Sequence, residues 1–147
     1  MKTTAILLNL FLLAAVLSGC EKNSGAPVFT KEEQVAQLLS GGGNRVWRLR
    51  GLKENNIEVA LTTAQLKYTK TYTMVAPNTT HGHFADYDGY TGDWNMKGSS
   101  AMQEVFAQIS GAGFGNRDYT ILSITDNMLS MYYVANNKKI EELYRAY

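Results

Sequence analysis

From Arg45 to Ala146, side-chain polarity alternates with a period of two, and this alternation constrains the fold more than any other feature of the chain. Trp47 and Leu49 alternate with Arg48 and Arg50. In the stretch LKYTKTYTMV, Leu66, Tyr68, Tyr72 and Met74 fall on one side and Lys67, Thr69, Thr71 and Thr73 on the other. Tyr90, Gly92, Trp94 and Met96 oppose Thr91, Asp93, Asn95 and Lys97 in the same way. Successive residues of a β-strand point to opposite faces, so each stretch is expected to set one face on a core and the other in water.

Turn residues divide the remainder. Pro77-Asn78 separates the Leu66 to Val75 strand from one near His81 to Tyr87, and Asp88-Gly89 predicts a two-residue hairpin into the next. A further strand is expected near Ala101 to Ile109, followed by a longer glycine loop, GAGFGN, at 110–117. Tyr119 to Thr125 and Met128 to Val134 form a hairpin through Asp126-Asn127, and Asn136-Asn137 turns into Ile140 to Ala146. Eight consecutive strands with short connections have one economical arrangement, an all-β, eight-stranded antiparallel up-and-down barrel that pairs the last strand with the first. A two-sheet sandwich needs a long crossover, for which the glycine loop is the one available connection.

One helix is expected before the strands. Thr30-Lys31-Glu32-Glu33 fits a capping box, Val35, Leu38 and Leu39 follow at helical spacing, and Gly41-Gly42-Gly43 stops the run. This pattern is compatible with a helix capping the barrel or lying along its wall. The glycine triplet lacks the preceding strand and the following Gly-Lys-Ser/Thr that a phosphate loop needs.

The first residues have the layout of a secretory signal peptide. Lys2 is followed by an apolar run from Ala5 to Val16, broken by Asn9, which is shorter than the roughly 20 residues of a membrane-crossing helix. Leu17-Ser18-Gly19-Cys20 resembles the bacterial lipobox. The resemblance implies a diacylglyceryl thioether on Cys20, cleavage before it, and acylation of the new amino terminus by chains such as palmitate. Residues 1–19 are thus expected to be a lipoprotein signal peptide, 20–29 a lipid-anchored tether, and 30–147 a single barrel domain with its N-terminal helix. Glu21 after the cysteine favours the outer membrane by resemblance to sorting signals. The expected location is the cell envelope, with the membrane as partner through the lipid.

Without Lys2, thirteen basic side chains face thirteen acidic ones. That balance argues against nucleic acid, whose binding rests on a basic surface. Cys20 is the one cysteine, so a mature domain holds together without disulfides and must bury a real core. Nine tyrosines, two tryptophans and thirteen glycines against two prolines favour strands and tight turns.

Taken in order, RVWRL, LTTAQLKYTKTYT, FADYDGYTGDW, YTILSITDNMLSMYY and YRAY resemble the small lipocalin-like, calycin-type lipoproteins of Gram-negative bacteria. The resemblance implies an arginine of the last strand, Arg145, packed across the first-strand Trp47 in a structural role. The aromatic inner face of such a barrel would suit a small hydrophobic ligand.

The candidate ligand wall is Tyr68, Tyr72, Tyr90 and Trp94, apolar surfaces with polar tips. An eight-stranded barrel is wide enough to be packed solid or to hold one small ligand, so both a binding module and a filled scaffold docking another envelope component are open, the latter with an unknown protein partner. Lys70 shares the face of Tyr68 and Tyr72, to pair with a ligand carboxylate or to sit at the barrel mouth with its ammonium in water. His81 and His83 share a face while Asp86 and Asp88 fall on the other, which fails the three or four converging ligands of a zinc site. Neither a metal nor a cofactor is expected. The strand pattern brings no carboxylate pair together inside, Glu141 and Glu142 point to opposite faces, and no nucleophile motif occurs, so no catalytic residue and no enzyme activity is expected. If Cys20 carries the anchor, Cys20→Ser blocks incorporation of labelled palmitate and moves the chain from the membrane to the soluble fraction, as checked by metabolic labelling and fractionation.

Overall fold

The computed structural model describes residues 28–107 and 115–147. The signal peptide, Cys20 and most of the tether, together with 108–114 of the glycine loop, lie outside the described residues.

The chain begins with helix α1 (Lys31–Ser40). The Thr30 hydroxyl accepts from the Glu33 amide at 3.1 Å and the Glu33 carboxylate accepts from the Thr30 amide at 2.7 Å, completing the expected capping box. Gly41, in the left-handed region at φ 63°, ends the helix.

Nine strands follow: β1 (Asn44–Glu54), β2 (Ile57–Val59), β3 (Thr69–Met74), β4 (His81–Asp86), β5 (Thr91–Met96), β6 (Ala101–Phe106), β7 (Asn116–Ile124), β8 (Met128–Ala135) and β9 (Lys138–Ala146). Eight of them close an antiparallel up-and-down barrel in chain order, and β9 returns to pair with β1 from Trp47↔Ala146 to Glu54↔Ile140. The barrel is the expected architecture, and closure removes the two edges an open sheet would expose.

Three local expectations are corrected. The short β2 extends β1 as a hairpin through Asn55-Asn56, both at positive φ (49° and 68°), and continues the side of β1 that β3 leaves unpaired. The strand expected from Leu66 begins at Thr69, because Gln65–Lys67 form a 3-10 turn that leaves Leu66 exposed. Asp88-Gly89 does not make a two-residue hairpin: the β4–β5 connection runs through Tyr87, Asp88, Gly89 and Tyr90, with Gly89 at φ 88° and its amide on the Asp86 carbonyl. In contrast, Asn136-Asn137 does form a two-residue turn, with φ 51° and 60°.

Helix α1 covers the barrel end where β1 starts and β3 stops. Its last-turn carbonyls, which have no partner within the helix, accept from strand side chains: Leu39 from the Trp47 indole at 2.8 Å and Leu38 from the Arg45 guanidinium at 2.8 Å. Arg45 also places positive charge at the negative end of the helix dipole. Inside this base, Leu39, Trp47, Met74, Trp94, Met102 and Leu129 are buried together.

The expected Arg145–Trp47 contact does not form. Tyr144 is the inward residue of that β9 pair and is fully buried, so Arg145 projects outward into solvent opposite Arg48. Arg45 supplies the cation instead, 5.5 Å from the Trp47 ring centre.

Gly82 marks the tightest point of the base. It lies opposite Trp94, whose indole crosses it to donate to the Thr73 carbonyl at 3.1 Å, and an added Cβ would strike that carbonyl and the indole nitrogen. Gly82→Ala is therefore expected to destabilise the barrel by about 1–3 kcal/mol, an overpacking cost readable as a lowered denaturant midpoint.

Candidate functional site

Alternation on β3 turns Lys70, Tyr72 and Met74 inward, and alternation on β6 turns Met102 and Glu104 inward. The barrel brings the two charged residues together at its centre. Lys70 is 1 % exposed and Glu104 0 %, and the ammonium donates to Glu104 Oε1 at 3.0 Å, Glu104 Oε2 at 3.2 Å and the Tyr119 hydroxyl at 2.9 Å. All three ammonium protons thus have acceptors. The Tyr72 hydroxyl donates to Glu104 Oε1 at 2.6 Å, and Arg117 donates to the Tyr119 oxygen at 3.2 Å.

Lys70 is thus not at the barrel mouth as expected but buried inside the barrel, and the carboxylate it pairs with is that of Glu104. Burial acts to lower the Lys70 pKa, but the oxygens of Tyr72, Tyr119 and Glu104 outweigh it and hold the ammonium well above its ordinary range. Burial drives Tyr72 and Tyr144 well above theirs, so both phenols are neutral donors.

A second buried carboxyl stands on the mouth side of this pair. Glu142 on β9 is 8 % exposed and accepts from the Tyr144 hydroxyl at 2.9 Å, while its neighbour Glu141 points outward to Lys53 at 3.5 Å. The opposite-face expectation for Glu141 and Glu142 holds. The strand pattern could not show that Glu104 and Glu142 both turn into the interior, because they come from strands that are neighbours of neither one another nor β3. Burial raises the Glu142 pKa, with Lys70 the largest opposing influence and the Tyr144 hydrogen bond the next.

Above Glu142 the barrel opens. At the end opposite α1 a cleft of about 670 Å³ is lined by Leu49, Leu52, Tyr68, Phe106, Tyr133 and Glu142, with Asp86, Asp88, Tyr90 and Arg117 round it. Arg117 lies 4.5 Å from the Tyr133 ring centre and 5.2 Å from that of Phe106, which hold its guanidinium flat. The four residues of the expected ligand wall divide between two levels. Tyr72 and Trp94 are fully buried in the base, edge to face at 6.3 Å, and reach no cleft. Tyr68 and Tyr90 line the mouth: the Tyr68 hydroxyl donates to Asp86 at 2.9 Å, and Tyr90, 43 % exposed, sits on the rim against Phe106.

His81 and His83 face outward, where His83 pairs with Asp93 at 2.6 Å, whereas Asp86 and Asp88 belong to the mouth, so the four do not converge. Sequence reasoning missed Glu104, Arg117, Tyr119, Tyr133 and Glu142. The signal for Glu104 was available, since Met102, Glu104 and Phe106 share one face of an alternating strand.

Neither the family models, nor the curated proteins, nor the solved structures compared with this chain match it.

Removing one partner of the central pair leaves an uncompensated buried charge. Lys70→Met and Glu104→Leu are each expected to cost about 3–5 kcal/mol, and the double variant Lys70→Met/Glu104→Leu less than the sum, as measured by denaturant unfolding in a double-mutant cycle. Glu142 gives a pH signature. A carboxyl whose folded pKa is raised favours the fold most below its ordinary 4.5 and loses that contribution as pH rises through the folded value. Stability should fall across that window, and Glu142→Gln should flatten the profile.

Proposed function

We propose that this chain is a non-catalytic binding protein of the bacterial envelope, a lipocalin-like barrel anchored through lipid on Cys20 that receives a small molecule in its mouth. The observation that carries the reading is the cleft of about 670 Å³ at the end opposite α1, a size suited to one small ligand. Its walls combine apolar surface from Leu49, Leu52 and Phe106 with the polar tips of Tyr68, Tyr90 and Tyr133, so the ligand has an apolar body. The ligand sits above the Lys70–Glu104 pair rather than against Tyr72 and Trp94.

The lipobox and the signal-peptide layout support an envelope location, and Glu21 the outer membrane.

A scaffold that docks another envelope component is the second reading, favoured by the solid base. It predicts an occupant on the outer wall, where Val59, Leu61, Leu66 and Leu143 border a groove of about 500 Å³.

Native mass spectrometry of the protein purified from its own host separates the two. The binding reading expects a small molecule that travels with the wild-type protein and is lost in Ile140→Trp, which narrows the mouth without altering the base. A wild-type protein that carries no small molecule but co-purifies with one envelope protein supports the scaffold and overturns ligand carriage.

A further inference from the structure

The mouth has a chemical bias that the base lacks. Among the described residues, Glu54, Asp86, Asp88 and Glu142 line it together with one cation, Arg117. Most of these groups are already engaged. Glu54 pairs with Lys138 at 3.0 Å. Asp86 accepts from the Tyr68 hydroxyl at 2.9 Å and from the amides of Asp88 and Tyr90 at 3.0 and 2.9 Å. Arg117 is stacked on two rings and donates to Tyr119.

Glu142 is not fully engaged. It is more than nine-tenths buried and borders the cleft, its Oε2 accepts from Tyr144, and its Oε1 accepts no hydrogen bond among the described residues. That oxygen is not sealed from solvent but opens onto the cleft, where an incoming donor can reach it. The tyrosines around it, Tyr68, Tyr90 and Tyr133, offer ring faces that attract a cation.

We propose that the cleft selects an organic cation, a protonated amine on an apolar or aromatic body, whose ammonium donates to Glu142 Oε1 while the body lies against Leu49, Leu52 and Tyr90. This rests on reading the mouth as a ligand site, and it adds the head-group chemistry. An organic anion fits less well. Its one cationic partner, Arg117, is pinned between rings, and its path in passes Glu54, Asp86 and Asp88. Those same rim carboxylates draw a cation toward the opening.

Amine binding requires the ionised form of Glu142. Facing that carboxyl, Lys70 from β3 and Arg117 from β7 favour ionisation, as does the Tyr144 hydrogen bond, while Glu104 from β6 and burial itself oppose it. The tyrosines Tyr68, Tyr119 and Tyr133 that face it are held neutral by burial. Affinity for an amine therefore rises with pH through the folded-state pKa of Glu142, and a carboxylate ligand would show the opposite slope.

The test is calorimetric titration of the detergent-solubilised full chain with three probes that share one body: phenethylamine, phenethyl alcohol and hydrocinnamate. Phenethylamine is expected to bind at least about tenfold tighter than the alcohol, the gain of pairing a full positive charge with the carboxylate over donating a neutral hydroxyl to it, and hydrocinnamate more weakly than either. Glu142→Gln, which keeps an acceptor for Tyr144, should bring the amine down to the level the alcohol shows in the same variant. At a pH high enough that Glu142 is ionised in both proteins, Arg117→Gln should tighten the amine. Equal binding of amine and alcohol, or tightest binding of hydrocinnamate, overturns cation selection while leaving the cleft as a ligand site. If none of the three binds the wild-type chain, the cleft reading falls with it. The probe comparison and its pH slope are read on the wild-type protein, so the result stands even where a variant does not fold.

Discussion

A lysine and a glutamate share the dry centre of this barrel, and the arrangement of everything around them follows from the need to keep both charged. Removing two ions from water costs several kcal/mol each, and mutual attraction offsets that only when the remaining hydrogen-bonding capacity is also met. Here Lys70 fills its three donors on Glu104 and Tyr119, and Glu104 takes a further proton from Tyr72. Each of those tyrosines must place its ring in the wall and its hydroxyl at the axis. The aromatic richness of the inner face is therefore partly a means of solvating an ion pair without water.

The pair also divides the barrel. On the α1 side the interior is apolar and solid, with Trp47 and Trp94 tied through their indole N–H groups to the Leu39 and Thr73 carbonyls. On the other side the packing becomes polar at Tyr119, Arg117 and Glu142 and then gives way to the cleft. A polar layer at mid-height is a rigid floor, because moving any member strands a charge or a hydroxyl in low dielectric. Rigidity at that level favours a mouth whose shape persists without an occupant.

Much of this was legible in the alternation. Period two in the sequence carries the strands, the inward faces of Tyr72 and Trp94, and the closure of the sheet, because each follows from which side of a strand a residue takes. Alternation also puts Lys70 on the inner face, but its partner is 34 residues away, and pairing the two requires knowing how strands facing each other across the barrel align. The Arg145 expectation failed on a single-residue matter of face: Tyr144 claims the interior, and Arg45, two residues before Trp47 on the same face of β1, reaches the ring instead. The β2 hairpin left no pattern to read because Ile57, Glu58 and Val59 are all exposed. Tyr90 reached the rim rather than the interior because the turn before β5 holds four residues instead of two.

Whether the Lys70 ammonium sits in a dry, paired site is the point on which the division into base, floor and mouth depends. Nitrogen-15 NMR of the lysine ammonium groups, followed through an alkaline titration, tests it most directly. The account predicts that Lys70 keeps its proton beyond its ordinary 10.5, with slow exchange of its ammonium hydrogens. A Lys70 signal that loses its proton at or below 10.5, with ammonium hydrogens in fast exchange with water, would contradict it.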